Sequence, residues 1–93
     1  MELRWTPSAL DDLDQALEYI AQDDPRAAGA MSDRILEAAE GLTTYPNLGR
    51  AGRLRGTREL VVTGTPFLLV YRVHLDEVQV LRMLHHARSW RGN

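Results

Sequence analysis

The chain has 93 residues, which is enough for one hydrophobic core, so we expect a single domain over residues 1–93. It contains no cysteine, which excludes disulfides and thiolate metal sites and is consistent with a cytoplasmic protein. The sequence has no run of about 18 apolar residues and its amino terminus does not resemble a signal peptide, so no membrane association is expected.

The charges are unevenly distributed along the chain. Every basic residue is arginine, and residues 1–49 carry a formal charge of −7 whereas residues 50–93 carry +5. Replacement of lysine by arginine is expected of a GC-rich genome, but it does not explain this segregation. Because the arginine fork suits carboxylates and phosphates, the basic half is a candidate binding surface.

The first half of the chain predicts a short edge strand at residues 3–5 and then two helices. Thr6 followed by Pro7 is typical of a helix start, and so is Asp24 followed by Pro25. Apolar residues at spacings of three and four then form one stripe on each helix: Leu10, Leu13, Leu17 and Ile20 on the first, and Ala28, Met31, Ile35, Ala38 and Leu42 on the second. The short link predicts an antiparallel helical hairpin over about 7–44.

The second half predicts antiparallel strands over about 58–84. A loop rich in glycine and arginine at residues 50–56 precedes three β-forming runs, and turns at 63–66 and 74–77 separate these runs. We therefore expect an α+β fold in which the two-helix antiparallel hairpin packs on a small twisted antiparallel sheet.

A turn at residues 74–77 also predicts the register of the last two strands. The expected pairs are Val73 with Val78, Tyr71 with Val80, and Leu69 with Arg82. The opposite face would then pack on the helices, with Leu68, Val70, Leu81 and Met83. Because a buried unpaired arginine would cost several kcal/mol, we expect the face with Tyr71 and Arg82 to be open or covered by an acidic partner.

The order and spacing of four segments resemble the ParE/RelE family of toxins from type II toxin–antitoxin systems, and ParE more closely. These segments are YPNLGR at 45–50, GTRELV at 56–61, VYRV at 70–73 and VLRMLHHAR at 80–88, and the similarity runs over about 3–90. The resemblance implies a helical hairpin packed on a small twisted antiparallel sheet.

The resemblance also implies a partner and two alternative targets. The partner is an antitoxin with a flexible acidic and apolar tail and a ribbon-helix-helix or similar DNA-binding part, so operator DNA is contacted only through the antitoxin. ParE-like toxins poison DNA gyrase, whereas RelE-like toxins cut messenger RNA on the ribosome. The fold is shared by both groups and does not choose between them.

Metal-free RNA cleavage needs a general base, cations for the scissile phosphate and a general acid. The candidates are Arg58, Arg82, His85 and His86, and Tyr71 is a further one. RelE-like nucleases also keep arginines at the positions of Arg58 and Arg82, but the lysine of their basic loop has no counterpart here. Arg53 and Arg55 supply charge there but cannot transfer protons.

A binding role is favoured for these residues. Histidines that follow a strand more often pack or cap than catalyse, and arginine is common at interfaces. The sequence pI of 5.9 is also low for an RNA-binding domain, for which values above about 9 are typical. We therefore expect no metal, no cofactor and no catalytic residue, and we expect the antitoxin or the target to contact Arg53, Arg55, Arg58, Tyr71, Arg82, His85, His86, Arg88 and Trp90.

Overall fold

The computed structural model describes residues 1–85, which form two helices and five strands. The elements are β1 (Glu2–Trp5), α1 (Pro7–Asp23), α2 (Pro25–Gly41), β2 (Arg50–Ala51), β3 (Arg58–Val61), β4 (Phe67–His74) and β5 (Glu77–His85). The helices pack on one face of a sheet whose strand order is β1-β5-β4-β3-β2. The α+β fold expected from the sequence is confirmed.

Both helix starts are capped as the sequence predicts. The Thr6 hydroxyl accepts a hydrogen bond from the Ala9 N–H, and the Asp24 carboxylate accepts one from the Ala27 N–H, both at 3.1 Å. Each cap satisfies a backbone donor that a first helical turn leaves unpaired. Asp24 is the single residue between the two helices, which is why they fold back as a hairpin.

The sheet is mixed rather than wholly antiparallel. Strands β2, β3, β4 and β5 pair antiparallel, as expected, but β1 pairs parallel to β5 at the edge of the sheet. The predicted loop at 50–56 also contributes the two-residue strand β2. A parallel neighbour for β5 requires a long connection, and the chain between β1 and β5 supplies it.

The predicted register of β4 and β5 is correct near the turn and wrong beyond it. Tyr71 lies opposite Val80 as expected, but Val70 lies opposite Arg82, because a bulge shifts the register between Val70 and Tyr71 and leaves Leu81 as an extra residue. The shift moves each later residue of β5 by one position. Since side chains alternate with a period of two, a one-residue shift exchanges the two faces of the strand.

The predicted assignment of the two faces is therefore wrong. The face that packs on the helices carries Leu69, Tyr71, Val78, Val80 and Met83, and it meets Ala9, Leu13, Ile35, Ala39 and Leu42. Leu10 was predicted in the apolar stripe of α1, but it is exposed, and Ala9 is buried in its place. Each fully buried Leu, Ile or Val contributes about 1.5–3 kcal/mol relative to an exposed position.

Candidate functional site

The hydroxyl of Tyr71 is at the centre of a buried group of contacts. Tyr71 is fully buried, and its hydroxyl donates to the Pro46 carbonyl at 2.7 Å and accepts from the Gly49 N–H at 2.9 Å. Through these two hydrogen bonds the Tyr71 hydroxyl connects the loop after α2 to the middle of β4. The expectation that Tyr71 lies on an open face is wrong, because the bulge places Arg82 on the face opposite Tyr71, and the Tyr71 face packs on the helices.

Arg58 contacts the same loop as Tyr71. It lies directly opposite Tyr71 in the β3–β4 register, and its Nη1 donates to the Gly49 carbonyl at 2.8 Å. A Cβ on Gly49 would lie 2.8 Å from a ring carbon of Tyr71 and 2.9 Å from the Glu59 carbonyl oxygen, so only glycine fits. We refer to Tyr71, Pro46, Gly49 and Arg58 as the Tyr71 cluster.

Sequence reasoning missed Glu59, which organises the arginine-rich loop between β2 and β3. Its side chain is 4% exposed, accepts a hydrogen bond from the Arg53 N–H at 3.1 Å and forms an ion pair with Arg50 at 3.6 Å. A buried carboxylate is costly unless it is paired. Arg53 and Arg55 lie on the exposed surface of this loop. The sequence signal that identifies Glu59 is an acidic residue within a predicted strand, directly after a basic loop.

Asp12 of α1 binds both the side chain of Arg82 and the backbone of the next residue. Arg82 Nε and Nη2 donate to Asp12 Oδ2 and Oδ1 at 2.7 and 3.0 Å, and the Met83 N–H donates to Oδ2 at 2.9 Å. The hydrogen bond to Asp12 and its negative charge raise the pKa of Arg82 above its ordinary value. We refer to Asp12, Arg82 and Met83 as the Asp12 cluster.

Within the described residues Arg82 already has a carboxylate partner, and its contact with the antitoxin or the target stays a prediction. Its carboxylate comes from α1, and the Arg82 side chain is 52% exposed rather than desolvated. Arg82 can reach Asp12 because it lies on the part of β5 that does not pair with β1. Strand β1 pairs with β5 only as far as Val80, and beyond that point Asp12 accepts from Met83 and the Thr6 hydroxyl donates to the Leu81 carbonyl at 2.9 Å.

An open groove lies beside the Asp12 cluster and contains His85. The groove has a volume of about 720 Å³, and α1, α2 and the ends of β4 and β5 form its walls. His85 is half-buried and packs edge-on against Phe67, with ring centroids 5.6 Å apart. The other lining residues are mainly apolar: Asp12, Gln15, Ala16, Tyr19, Ile20, Met31, Pro66 and Met83. The predicted site residues His86, Arg88 and Trp90 lie outside the described residues.

The structure separates the described candidates for RNA cleavage. Arg58 and His85 lie two strands apart and four residues apart along β4, which places their Cα atoms about 16 Å from each other. The guanidinium of Arg58 is directed to Gly49, and that of Arg82 to Asp12. Residues 1–85 contain no group of three histidine or acidic side chains able to hold a metal ion, and no helix among them could span a membrane.

Two helices on one face of a five-stranded mixed sheet, with an apolar groove and an exposed arginine loop, define the class of fold. Residues 3–90 match the family model described as the ParE toxin of the type II toxin–antitoxin system parDE. Y4kP of Sinorhizobium fredii, whose name describes it as a candidate toxin, is 42% identical over 95% of this chain and 91% of its own. Toxin RelE2 of Caulobacter vibrioides is 40% identical over 90% of this chain and 93% of its own.

Solved structures agree with this assignment. A structure of the chromosomal ParDE toxin–antitoxin system from P. aeruginosa is 30% identical with a TM-score of 0.83, covering 91% of this chain and 95% of that one. The RelBE2 toxin–antitoxin complex from Mycobacterium tuberculosis is 28% identical with a TM-score of 0.62, covering 90% and 95%. The chain belongs to the ParE/RelE family and is a toxin of the type II toxin–antitoxin class.

Proposed function

We propose that this toxin is neutralised by a cognate antitoxin and that, when free, it acts by binding DNA gyrase rather than by cutting RNA. The observation that supports gyrase binding over RNA cleavage is the separation of Arg58, Arg82 and His85. A general base has to lie within about 2.6–3.2 Å of the heavy atom whose proton it removes, and cations have to reach the same phosphate. The Cα atoms of Arg58 and His85 lie about 16 Å apart. The guanidinium groups of Arg58 and Arg82 are directed to separate partners, so these side chains do not converge on one phosphate.

The arginine loop supports a protein partner. Arg53 and Arg55 are exposed on it, and Glu59 holds the loop backbone and Arg50 in place from below. A loop whose backbone is fixed loses less conformational freedom when it binds. The exposed guanidinium groups can bind the carboxylates of an acidic antitoxin tail or of the target protein.

The groove supports an antitoxin with apolar residues in its tail. Its walls expose parts of Ile20, Met31 and Pro66 beside the exposed Tyr19. A flexible segment of alternating acidic and apolar residues would order on this surface and cover it. The DNA-binding part of such an antitoxin, a ribbon-helix-helix or similar unit, would contact the operator in its place.

Two assays on purified protein test the choice of target. We expect inhibition of supercoiling by DNA gyrase, and we expect no new messenger fragments when the protein is added to translating ribosomes. Arg53→Glu combined with Arg55→Glu should weaken the inhibition, since both charges face the solvent. Arg26→Glu, an exposed arginine on α2, is the matched control and should leave inhibition unchanged.

The histidines separate binding from catalysis most directly. Loss of a general acid or base should reduce a rate by about 10²–10⁴, whereas a packing histidine tolerates an amide of similar shape. We expect His85→Asn and His86→Asn, singly and together, to leave cell killing largely intact. His74→Asn at the exposed β4–β5 turn is the control. Ribosome-dependent cleavage that disappears in either variant would reject the proposal.

A RelE-like messenger endoribonuclease is the second candidate. It is favoured by the likeness to toxin RelE2 and by the position of His85 and Asp12 on the same groove. In that case the groove would bind a nucleotide, and the ribosome would supply groups that this chain does not bring together. The two assays above distinguish this candidate from gyrase binding.

A further inference from the structure

The outer edge of β1 is open for strand pairing. β1 is the first strand of the sheet, and within residues 1–85 no strand lies on its outer side. The N–H groups of Glu2 and Thr6 donate to carbonyls of the β5 side, both at 3.0 Å. Since backbone groups alternate along a strand, the N–H and C=O groups of Leu3 and Trp5 point outward.

The other exposed edges in the described part of the chain are protected against such pairing. Beyond β1, the free edge of β5 is covered by the Thr6 hydroxyl and the Asp12 carboxylate. At the opposite end of the sheet, β2 has only two residues and adjoins Arg53 and Arg55, which would repel a second copy. The edge of β1 lacks these features.

We propose that two copies of this chain pair antiparallel through β1, with a two-fold axis at Leu3. In this register the outward N–H and C=O groups of Leu3 form two hydrogen bonds with the C=O and N–H groups of Leu3 in the second copy. The next outward residue, Trp5, lies opposite Met1 of the second copy. Glu2 then lies directly opposite Arg4 of the second copy, and the symmetry repeats this pair of opposite charges.

The charges within one copy favour this partner. Glu2 lies opposite Glu77 in the β1–β5 register, so two carboxylates share one face of the sheet. Arg4 forms an exposed ion pair with Glu77 at 3.3 Å. In the dimer each Glu2 gains an arginine across the new strand pair, while Arg4 remains beside Glu77. Opposite charges directly across two strands are favourable, and like charges are not.

The helices leave room for the second copy. A two-fold axis perpendicular to the sheet places both helical layers on the same face. Because α1 packs over β5, three strand spacings separate the two α1 helices. This distance is about 14 Å, whereas packed helices need only about 8–10 Å between their axes. The interface is small, so we expect a weak dimer with a dissociation constant on the order of 100 µM.

Charge reversal tests the register through sedimentation velocity at about 5–500 µM protein, a range that brackets this constant. Glu2→Arg places two arginines opposite each other, and Arg4→Glu places two glutamates opposite each other. We expect each variant alone to dimerise at least about tenfold more weakly than the original chain. An equimolar mixture pairs every arginine with a glutamate, so it should recover the dimer. Recovery also shows that both variants are folded.

Cross-linking tests the position of the axis, because the chain contains no cysteine of its own. Leu3→Cys should form a disulfide dimer on mild oxidation. A mixture of Glu2→Cys and Arg4→Cys should cross-link faster than either variant alone, since Glu2 lies about 8 Å from its own copy, beyond disulfide reach. Leu10→Cys, an exposed position on α1, is the control that should not cross-link.

Three outcomes would overturn the proposal. The first is an original chain that remains monomeric up to about 500 µM, well above the expected constant. The second is a dimer that neither charge reversal weakens. The third is a chain whose β1 edge pairs only with an antitoxin strand, which would appear as Leu3→Cys cross-linking to the antitoxin and never to itself. None of these depends on whether gyrase or messenger RNA is the target.

Discussion

The Tyr71 cluster and the Asp12 cluster each hold one arginine, but in different surroundings. The Tyr71 cluster is buried, and its bonds join a phenol, a guanidinium and the backbone around Gly49. The Asp12 cluster is ionic and half-exposed, and water can replace its bonds. Buried polar groups that lose a partner pay their full desolvation cost, whereas exposed ion pairs contribute little. We therefore expect the Tyr71 cluster to stabilise the fold more than the Asp12 cluster.

Gly49→Ala should have the largest effect. The new methyl group would meet the Tyr71 ring and the Glu59 carbonyl within 2.9 Å, and that carbonyl belongs to a paired strand that cannot easily move. We expect the free energy of unfolding to fall by about 3 kcal/mol, measured by urea denaturation. Gly29→Ala on α2 is the control, because nothing lies within 4 Å of its Cβ position. It should raise stability by about 0.5–1 kcal/mol.

Tyr71→Phe should have the second largest effect. The substitution preserves the ring but leaves the Gly49 N–H and the Pro46 carbonyl without the hydroxyl that now bonds both. We expect a loss of about 2 kcal/mol in thermal or chemical denaturation. Tyr45→Phe removes an exposed hydroxyl and serves as the matched control. Equal stabilities of the two variants would contradict the central role of the Tyr71 hydroxyl.

Substitutions in the Asp12 cluster should cost less. Arg82→Ala removes a half-exposed ion pair, and we expect a loss of up to about 1 kcal/mol. Asp12→Ala should cost more, since it also leaves the Met83 N–H without its acceptor. The raised pKa of Arg82 means that the pair is present below the ordinary guanidinium pKa and is lost only as the pH rises through the higher folded value. Stability curves at pH 6 and pH 10 should therefore show the same difference between variant and original chain.

Glu77 belongs to neither cluster, and a change in its pKa has the smallest expected effect. Hydrogen bonding from Gln79 and, to a lesser degree, the charge of Arg4 lower the pKa of Glu77 below its ordinary value of 4.5. A lowered pKa adds stability above the ordinary value, and this stability is lost as the pH falls through the folded value. Gln79→Ala should move the pKa upward in an NMR titration of the carboxyl carbon. Gln22→Ala at the end of α1 should not move it.

Residues that act within a few positions of each other were predictable from the sequence. The caps at Thr6 and Asp24 and the turn at 74–77 depend on local chemistry, and each was placed correctly. The family resemblance was carried by the order of short segments and is confirmed over residues 3–90. These features require no knowledge of distant contacts.

The tertiary structure decided which face of the sheet packs on the helices and which charges pair. Asp12 and Arg82 are 70 positions apart, so no local pattern joins them. The extra residue at Leu81 moves Arg82 to the face opposite Tyr71, and no glycine or proline marks that bulge in the sequence. Alternation along a strand predicts that two faces exist. Which of them meets the helices depends on packing across the whole sheet.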